Sequence, residues 1–329
     1  MNLFEEDIKR VATLNYAWQK LKGKTLLISG GTGFIGQFIV AVVNYRNENF
    51  GDDIKIISLS RHPLENTHNV LYIKQDVTQP VNLDGKVDYI LHLASNTHPK
   101  QYAAYPVDTI ITNVLGCNNL LELAVKKKAR FLLASSVEIY GSKLKDAVKE
   151  EDCGYIDCNT ARAGYNEGKR VSESLCKSYK EQYGVDCVTA RLARVFGADK
   201  KQDSKAIAQF FERALSGGDI VLKSRGLQRF SYCYVADAVS GILKVLIDGQ
   251  SGEAYNISED DEGKSLKDYA SLIAGFAGRK VVFDLNADNA GASVADFAVL
   301  NCDKLKSLGW QPIYSPGEAM QRTYKILKG

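Results

Sequence analysis

Residues 25–36 read Thr25-Leu26-Leu27-Ile28-Ser29-Gly30-Gly31-Thr32-Gly33-Phe34-Ile35-Gly36, and the chain continues apolar and uncharged to Tyr45. The run TLLIS suits a buried strand, and the segment opened by Phe34 suits a helix. Glycines between a strand and a helix permit a tight turn and let backbone N–H groups approach a pyrophosphate at the helix N-terminus. The spacing is G-x-x-G-x-x-G, and it implies a dinucleotide cradle formed by Gly30, Gly33, Phe34, Ile35 and Gly36. The uncharged stretch from Thr25 to Tyr45 is about as long as a membrane span. Its glycines, Gln37 and Asn44 suit strand, turn and helix better, so no membrane association is expected.

Working outward, short apolar runs alternate with helical segments: IKIISLS, VLYI, YILHLAS, a helix from about Asp108 to Lys127, RFLLASS, a helix from about Tyr165 to Tyr183, and DCVTARLARVF. Strands that are apolar throughout and alternate with helices form a parallel sheet covered on both faces. The expected fold is α/β, a Rossmann-type doubly wound parallel sheet with a smaller α/β C-terminal substrate lobe. Residues 24–198 form the dinucleotide-binding part, with a later strand and helix near 225–247 returning to it, and 199–329 form mainly the substrate lobe. Residues 1–23 form an N-terminal helical extension, with Leu3, Ile8, Val11, Leu14, Trp18 and Leu21 near helical spacing and Gly23 as the stop. A helix from Ala206 to Leu215, a strand at Ile220 to Lys223 and a helix from Val235 to Leu246 are read in the remainder.

The chain has 329 residues, 45% hydrophobic and 25% charged, which excludes disordered, collagen-like and coiled-coil classes. Forty-two basic residues against thirty-nine acidic ones leave a net charge of +3, too near balance to indicate a nucleic-acid or anionic-membrane partner. The seven cysteines are scattered, with no C-x-x-C pair and no histidine at ligand spacing, so reduced thiols and no metal are expected. Glu5, Glu6 and Asp7 occupy the place where a secretion signal carries its basic region, and a cytoplasmic location is expected.

Tyr165 and Lys169 are separated by one helical turn and share a face. A phenol with a pKa near 10 is a poor base, and a neighbouring ammonium stabilises the phenolate. Ser136, at the end of RFLLASS, is placed to hydrogen-bond the hydroxyl that Tyr165 deprotonates. If Ser136-Val137-Glu138 leaves the sheet extended, Glu138 faces the same side and brings a carboxylate to the cleft. Asp76, followed by Val77, suits either hydrogen bonding of an adenine amino group or a turn cap. At the end of IKIISLS an acidic residue would bond a ribose 2′-hydroxyl, whereas Ser60 and Arg61 suit a 2′-phosphate, favouring NADP(H) over NAD.

Together these residues resemble the extended short-chain dehydrogenase/reductases, specifically the nucleotide-sugar epimerase/dehydratase group, from Lys24 onward. His92-Leu93-Ala94-Ser95 with Pro99, Tyr102 and Pro106, then Thr112-Asn113 with Gly116, and above all GYNEGKRVSESLC at 164–176 are most similar to UDP-glucuronate decarboxylases. The tail Asp303-Lys304-Leu305 with Leu308-Gly309-Trp310 is similar to the wider group. The resemblance implies that Leu93, Ala94, Ser95, Tyr165 and Lys169 join the glycines in holding the cofactor, and that Ser136 assists the tyrosine. It places Asn96 and Tyr102 on the substrate side. It implies a hidden redox cycle: the cofactor takes a hydride from C4 of the sugar, the 4-ketone acidifies neighbouring positions, and the hydride is returned. Glu138 stands where lyases of the group carry a glutamate near C5. A homodimer through the 108–127 and 165–183 helices is implied as well.

Three departures limit the resemblance. Dehydratases acting on dTDP-sugars place an aspartate before the glutamate, where this chain has Val137. The decarboxylases carry an arginine in Q-x-R-x-F-x-Y-V. Here Gln228-Arg229-Phe230-Ser231-Tyr232-Cys233-Tyr234-Val235 puts Phe230 at that position and Arg229 one earlier, and a shift of one residue in a strand reverses the face. Relatives often have asparagine where this chain has Arg194, which either binds a diphosphate in place of the missing arginine or pairs with an acidic neighbour. Arg194 and Arg229 are accordingly expected among the substrate contacts. The expected activity is a dehydratase- or decarboxylase-like lyase acting through a 4-keto sugar. A 4-epimerase, an NADPH-dependent 4-keto reductase and a non-catalytic dinucleotide-binding scaffold or sensor remain as alternatives.

Overall fold

The computed structural model describes residues 2–97, 102, 104–142, 146–199, 205–259, 263–286 and 297–329. Seven strands form one sheet in the spatial order Ala254–Ile257, Cys187–Leu192, Arg130–Ser136, Tyr89–His92, Thr25–Ser29, Lys55–Ser60 and Val70–Lys74. Every neighbouring pair runs parallel. Side chains alternate between the faces of a strand, and two apolar layers result. Leu26, Ile28, Leu91 and Leu132 join the larger core with Phe38, Val42, Ile242 and Leu246 from two covering helices. Leu27, Ile90, Phe131 and Leu133 face the other way onto Cys117, Leu120 and Cys176. Both faces are buried, which is why these strands read as continuous apolar runs.

The glycine turn leads from Thr25–Ser29 into the helix Phe34–Phe50, and the helices Pro106–Lys127 and Ala163–Tyr183 pack together on the opposite face. Thr25–Ser29 has Lys55–Ser60 on one side and Tyr89–His92 on the other, so the chain order reverses there. The crevice beyond the carboxyl ends of these strands is where open α/β sheets bind ligands.

Several boundaries differ from the expected ones. The N-terminal helix ends at Ala12, not Leu21: Thr13 caps it, its N–H and its hydroxyl both donating to the Lys9 carbonyl at 2.9 Å, the Leu14 N–H then bonds only three residues back, to Val11, and a short 3₁₀ turn, Trp18–Lys20, follows. The segment 187–196 is two strands, because Arg194–Phe196 leaves the sheet to pair with Tyr232–Tyr234. The seventh strand of the main sheet is Ala254–Ile257, beyond the expected 225–247 segment, whereas the helix Val235–Asp248 does pack beneath the sheet. The small strand near 220 covers Ile220–Leu222 and pairs with Val281–Phe283.

Candidate functional site

Gly30 has φ +77°, and a Cβ there would stand 3.0 Å from the backbone nitrogen of Ala94, so the turn and the 93–95 segment meet at a distance only glycine tolerates. A Cβ on Gly36 would stand 2.6 Å from the Gly31 Cα, which fixes the helix start against the turn. Gly33 is the N-cap residue of that helix and has no capping side chain, which leaves the first N–H groups of the helix open toward the crevice. A backbone cradle that side chains would fill fits a dinucleotide pyrophosphate.

The neighbouring strand end is held from within. Ser29 Oγ lies 2.7 Å from His92 Nδ1 and accepts from the Ala94 N–H at 3.3 Å, and the Leu93 N–H donates to the Ser29 carbonyl at 3.1 Å. Burial, with the Lys169 charge adding to it, pushes His92 down to about 3, so its ring stays neutral. The Ser95 hydroxyl donates to Asn113 Oδ1 at 2.9 Å. Of the two predicted groups beyond the second strand, Ser60 Oγ lies 2.8 Å from Thr32 Oγ1 and accepts from the His62 N–H at 3.1 Å. Arg61 is exposed and makes no ion pair among the described residues. Asp76 is exposed and caps a turn: its Oδ1 accepts from the Thr78 N–H and hydroxyl, both at 2.9 Å. Val77 is buried, and its carbonyl accepts from Asn119 Nδ2 at 2.8 Å.

Ser136 ends the strand Arg130–Ser136, but the chain does not continue extended. Ser136 Oγ accepts from the Glu138 N–H at 3.3 Å and caps a 3₁₀ turn, Val137–Tyr140. Glu138 enters the cleft by this turn and not by strand alternation. The helix Ala163–Tyr183 secures it: Asn166 Nδ2 donates to the Glu138 carbonyl at 2.7 Å, and Arg170 Nε donates to the Ile139 carbonyl at 2.7 Å. Two guanidinium groups reach the carboxylate, Arg194 at 3.4 Å from Oε1 and Arg162 at 3.5 Å from Oε2.

Tyr165 is buried and stacks on Tyr102, with ring centroids 5.4 Å apart. Arg162 donates to the Tyr102 hydroxyl at 3.3 Å. The Tyr165 phenol is pushed well above its ordinary pKa, chiefly by burial and also by the charge of Glu138, while a hydrogen bond with Ser136 pulls the other way. Lys169 Nζ donates to the Ala134 carbonyl at 2.8 Å, and burial pushes this lysine down to about 8. The expected lowering of the phenol by Lys169 is therefore not present in the protein alone, because the ammonium is turned to the strand end.

The structure thus gathers Ser136, Glu138, Tyr165, Tyr102 and Arg194 at one place beyond the sheet, with Lys169 directly behind them. Arg194 lies with its Cζ 3.8 Å over the ring of Phe230, the residue standing where a relative's arginine was expected. Arg229 is not brought there: its Nε donates to the Gly263 carbonyl at 2.7 Å. Asn96 follows in the loop after Ser95, half-buried, and Pro99 lies outside the described residues. Sequence reasoning missed Arg162 and the supporting roles of Asn166 and Arg170. Their only signal was their place on the helix of Tyr165, just before it, just after it, and one further turn along.

The sequence of residues 26–258 matches the model of the NAD dependent epimerase/dehydratase family. The chain belongs to this family. UDP-glucuronic acid decarboxylase 5 of Arabidopsis thaliana is 35% identical over 247 residues, covering 72% of this chain and 70% of that protein. UDP-glucuronic acid decarboxylase 1 of Xenopus tropicalis is 30% identical over 304 residues, 91% of this chain and 71% of that one. Among solved structures, UDP-glucose 4-epimerase of Thermotoga maritima with UDP-glucose superposes with a TM-score of 0.77 at 22% identity, covering 92% of this chain and 97% of that one. dTDP-glucose 4,6-dehydratase of Streptomyces venezuelae, with NAD and TYD bound, gives 0.75 at 24% identity, covering 92% and 96%. These two likenesses are likenesses of fold. Among the described residues no helix is long and apolar enough to cross a membrane, and no cluster of His, Cys, Asp or Glu suits a metal ion.

Proposed function

We propose that this family member is a nucleotide-sugar lyase, dehydratase- or decarboxylase-like, that works through a 4-keto sugar. The observation that carries the reading is the Glu138 carboxylate standing beside the Tyr165–Ser136 pair, held on its turn by Asn166 and flanked by Arg162 and Arg194. Isomerisation at C4 alone needs no second base. A carboxylate beside the phenol is placed to move a proton at C5 once C4 is a ketone.

Tyr165 takes the proton from O4, and Ser136 orients that hydroxyl. Burial and Glu138 hold the phenol protonated in the protein alone, so its ionisation requires positive charge brought in beside it. An oxidised nicotinamide dinucleotide held by the glycine turn and Lys169 would supply that charge and a hydride acceptor for C4. Lys169 keeps two of its three N–H groups after bonding Ala134, enough to hold ribose hydroxyls and add its own charge. Arg194, resting on Phe230, offers a guanidinium to the diphosphate or sugar in place of the missing arginine, and Asn96 and Tyr102 line the same side.

The absence of an acid at the end of Lys55–Ser60 and the exposed Arg61 support NADP(H), and release of NAD from denatured protein would remove that preference. The stripe Val107, Ile111 and Leu115, exposed on one face of Pro106–Lys127, together with the exposed Val171 of the paired helix, supports a homodimer through these helices. A monomer by light scattering at micromolar concentration would refute it. The seven free cysteines support a reducing, cytoplasmic setting.

The test is incubation with UDP-, dTDP-, CDP- and GDP-sugars followed by mass spectrometry. Loss of water or carbon dioxide without added reductant is the expected result. Unchanged mass with inverted stereochemistry would make the protein an epimerase. Gain of two hydrogens from NADPH would make it a reductase, and no conversion of any sugar would leave a binding scaffold.

A further inference from the structure

The N-terminal helix Leu3–Ala12 carries a carboxylate that no part of the proposed chemistry uses. Asp7 is wholly buried, and three donors distant in sequence converge on it. Tyr234 donates its hydroxyl to Oδ2 at 2.6 Å, Tyr314 to Oδ1 at 2.6 Å, and Arg322 Nε to Oδ1 at 2.8 Å. An apolar residue would dock a helix at lower cost, since a buried charge must be matched donor by donor. What the charge adds is direction.

One of the three donors leads to the site. Tyr234 ends the strand Tyr232–Tyr234, whose partner is Arg194–Phe196, with Tyr232 opposite Arg194 and Tyr234 opposite Phe196. The rings of Tyr234 and Phe196 lie 5.6 Å apart. Just past the ends of both strands, a Cβ on Gly197 would stand 2.8 Å from Phe34 Cζ and 2.9 Å from Val235 Cγ1. The pair is thus tied to the Asp7 carboxylate at Tyr234 and abuts the first residue of the glycine-turn helix where it ends. The N-terminal helix also meets that helix directly, Phe4 edge-on to Phe38 at 5.6 Å.

We infer that Asp7 is a positioning residue: through the Tyr234 hydroxyl it fixes the strand pair that presents Arg194 to Glu138, which makes the N-terminal helix a working part of the sugar side of the site. The role given to Arg194 rests on the proposed function; the mechanical link does not. The neighbouring Tyr314 provides the control: it bonds the same carboxylate but belongs to neither strand, and its edge-on ring contact with Tyr234, at 5.7 Å, survives the loss of its hydroxyl.

The experiment compares Asp7→Asn, Tyr234→Phe and Tyr314→Phe in the full chain by hydrogen exchange with mass spectrometry and by steady-state kinetics. For Asp7→Asn and Tyr234→Phe, exchange in peptides covering 194–197 and 230–235 is expected to rise about tenfold, the scale of one lost bond to a charged group. Peptides covering 25–36 are expected to keep their protection, and KM for the sugar to rise with kcat changed less. Tyr314→Phe is expected to leave both the peptides and KM unchanged. Equal behaviour of the two tyrosine variants, or faster exchange spread evenly over the chain, would reduce Asp7 to an ordinary anchor. If Asp7→Asn does not fold, the two tyrosine variants alone decide. If no sugar is turned over, the exchange pattern still decides the link while the functional reading falls separately.

Discussion

Replacing Asp237 with asparagine should reverse the order of stability between variant and parent as pH rises. Asp237 lies in the first turn of Val235–Asp248 with no exposed surface. Its Oδ1 accepts from the Ile313 N–H, and Oδ2 has no hydrogen-bond partner. Burial, opposed by backbone donors from Ile313 and Tyr314, pushes this carboxyl from 3.8 up to about 7. Between these values the folded protein keeps a proton that the unfolded chain has released. The contribution is therefore intact below about pH 4 and is lost as pH rises toward 7, at about 1.4 kcal/mol per pH unit and about 4 kcal/mol in all. Asparagine cannot ionise and keeps the acceptor for Ile313, but sets an amide where Oδ2 is unpartnered, at a cost of about 1 kcal/mol. The parent should then be the more stable by about 1 kcal/mol below pH 4, level with the variant near pH 4.5, and the less stable by about 3 kcal/mol at pH 8. Urea unfolding of both proteins by far-UV circular dichroism, in the same dinucleotide state and at half-unit pH intervals, reads this difference directly. Other titrating groups are common to both proteins and cancel. Curves that stay parallel from pH 4.5 to 8 would refute the reasoning, since they would mean that the buried carboxyl ionises at its ordinary pH.

Lys169 should act with the opposite sign: its folded pKa of about 8 lies below the ordinary 10.5, so stability should rise between pH 8 and 10.5, by about 3 kcal/mol. Lys169→Met should abolish that rise in the same urea titrations. Gly36→Ala drives a methyl group to 2.6 Å from the Gly31 Cα and should weaken dinucleotide binding by about a hundredfold or more by calorimetry; binding retained within threefold would mean that the turn is not the cradle. Tyr165→Phe should bind dinucleotide normally and lose turnover by about a thousandfold or more, whereas full activity would remove Tyr165 from the chemistry. Glu138→Gln should lose product formation while still passing hydride from C4 to the cofactor, seen as deuterium from a C4-deuterated sugar appearing in the recovered dinucleotide; an equal loss of both would deny Glu138 its separate role at C5.

The strand–glycine–helix run from Thr25, the apolar strands and the Tyr165–Lys169 spacing were readable in the chain because each is a local pattern. A period of two or of one helical turn, a φ that favours glycine, and a buried strand's lack of charge all leave their mark within a few residues. Those patterns determined the layered parallel sheet, the glycine turn at the strand's carboxyl end and the shared helix face of Tyr165 and Lys169. What local pattern could not convey depends on residues far apart. Glu138 reached the cleft on a 3₁₀ turn, held from a distant helix by Asn166 and Arg170, and not along a strand. Which arginine would serve the site was likewise a tertiary matter. Arg229 was drawn off to the Gly263 carbonyl, while Arg194 came over Phe230 from a strand paired with 232–234. The state of Tyr165 was decided in the same way: the one-turn spacing brought Lys169 to the same helix face, but the Ala134 carbonyl holds its ammonium and burial governs the phenol. Contacts and desolvation are properties of the assembled surroundings, and sequence spacing carries no record of them.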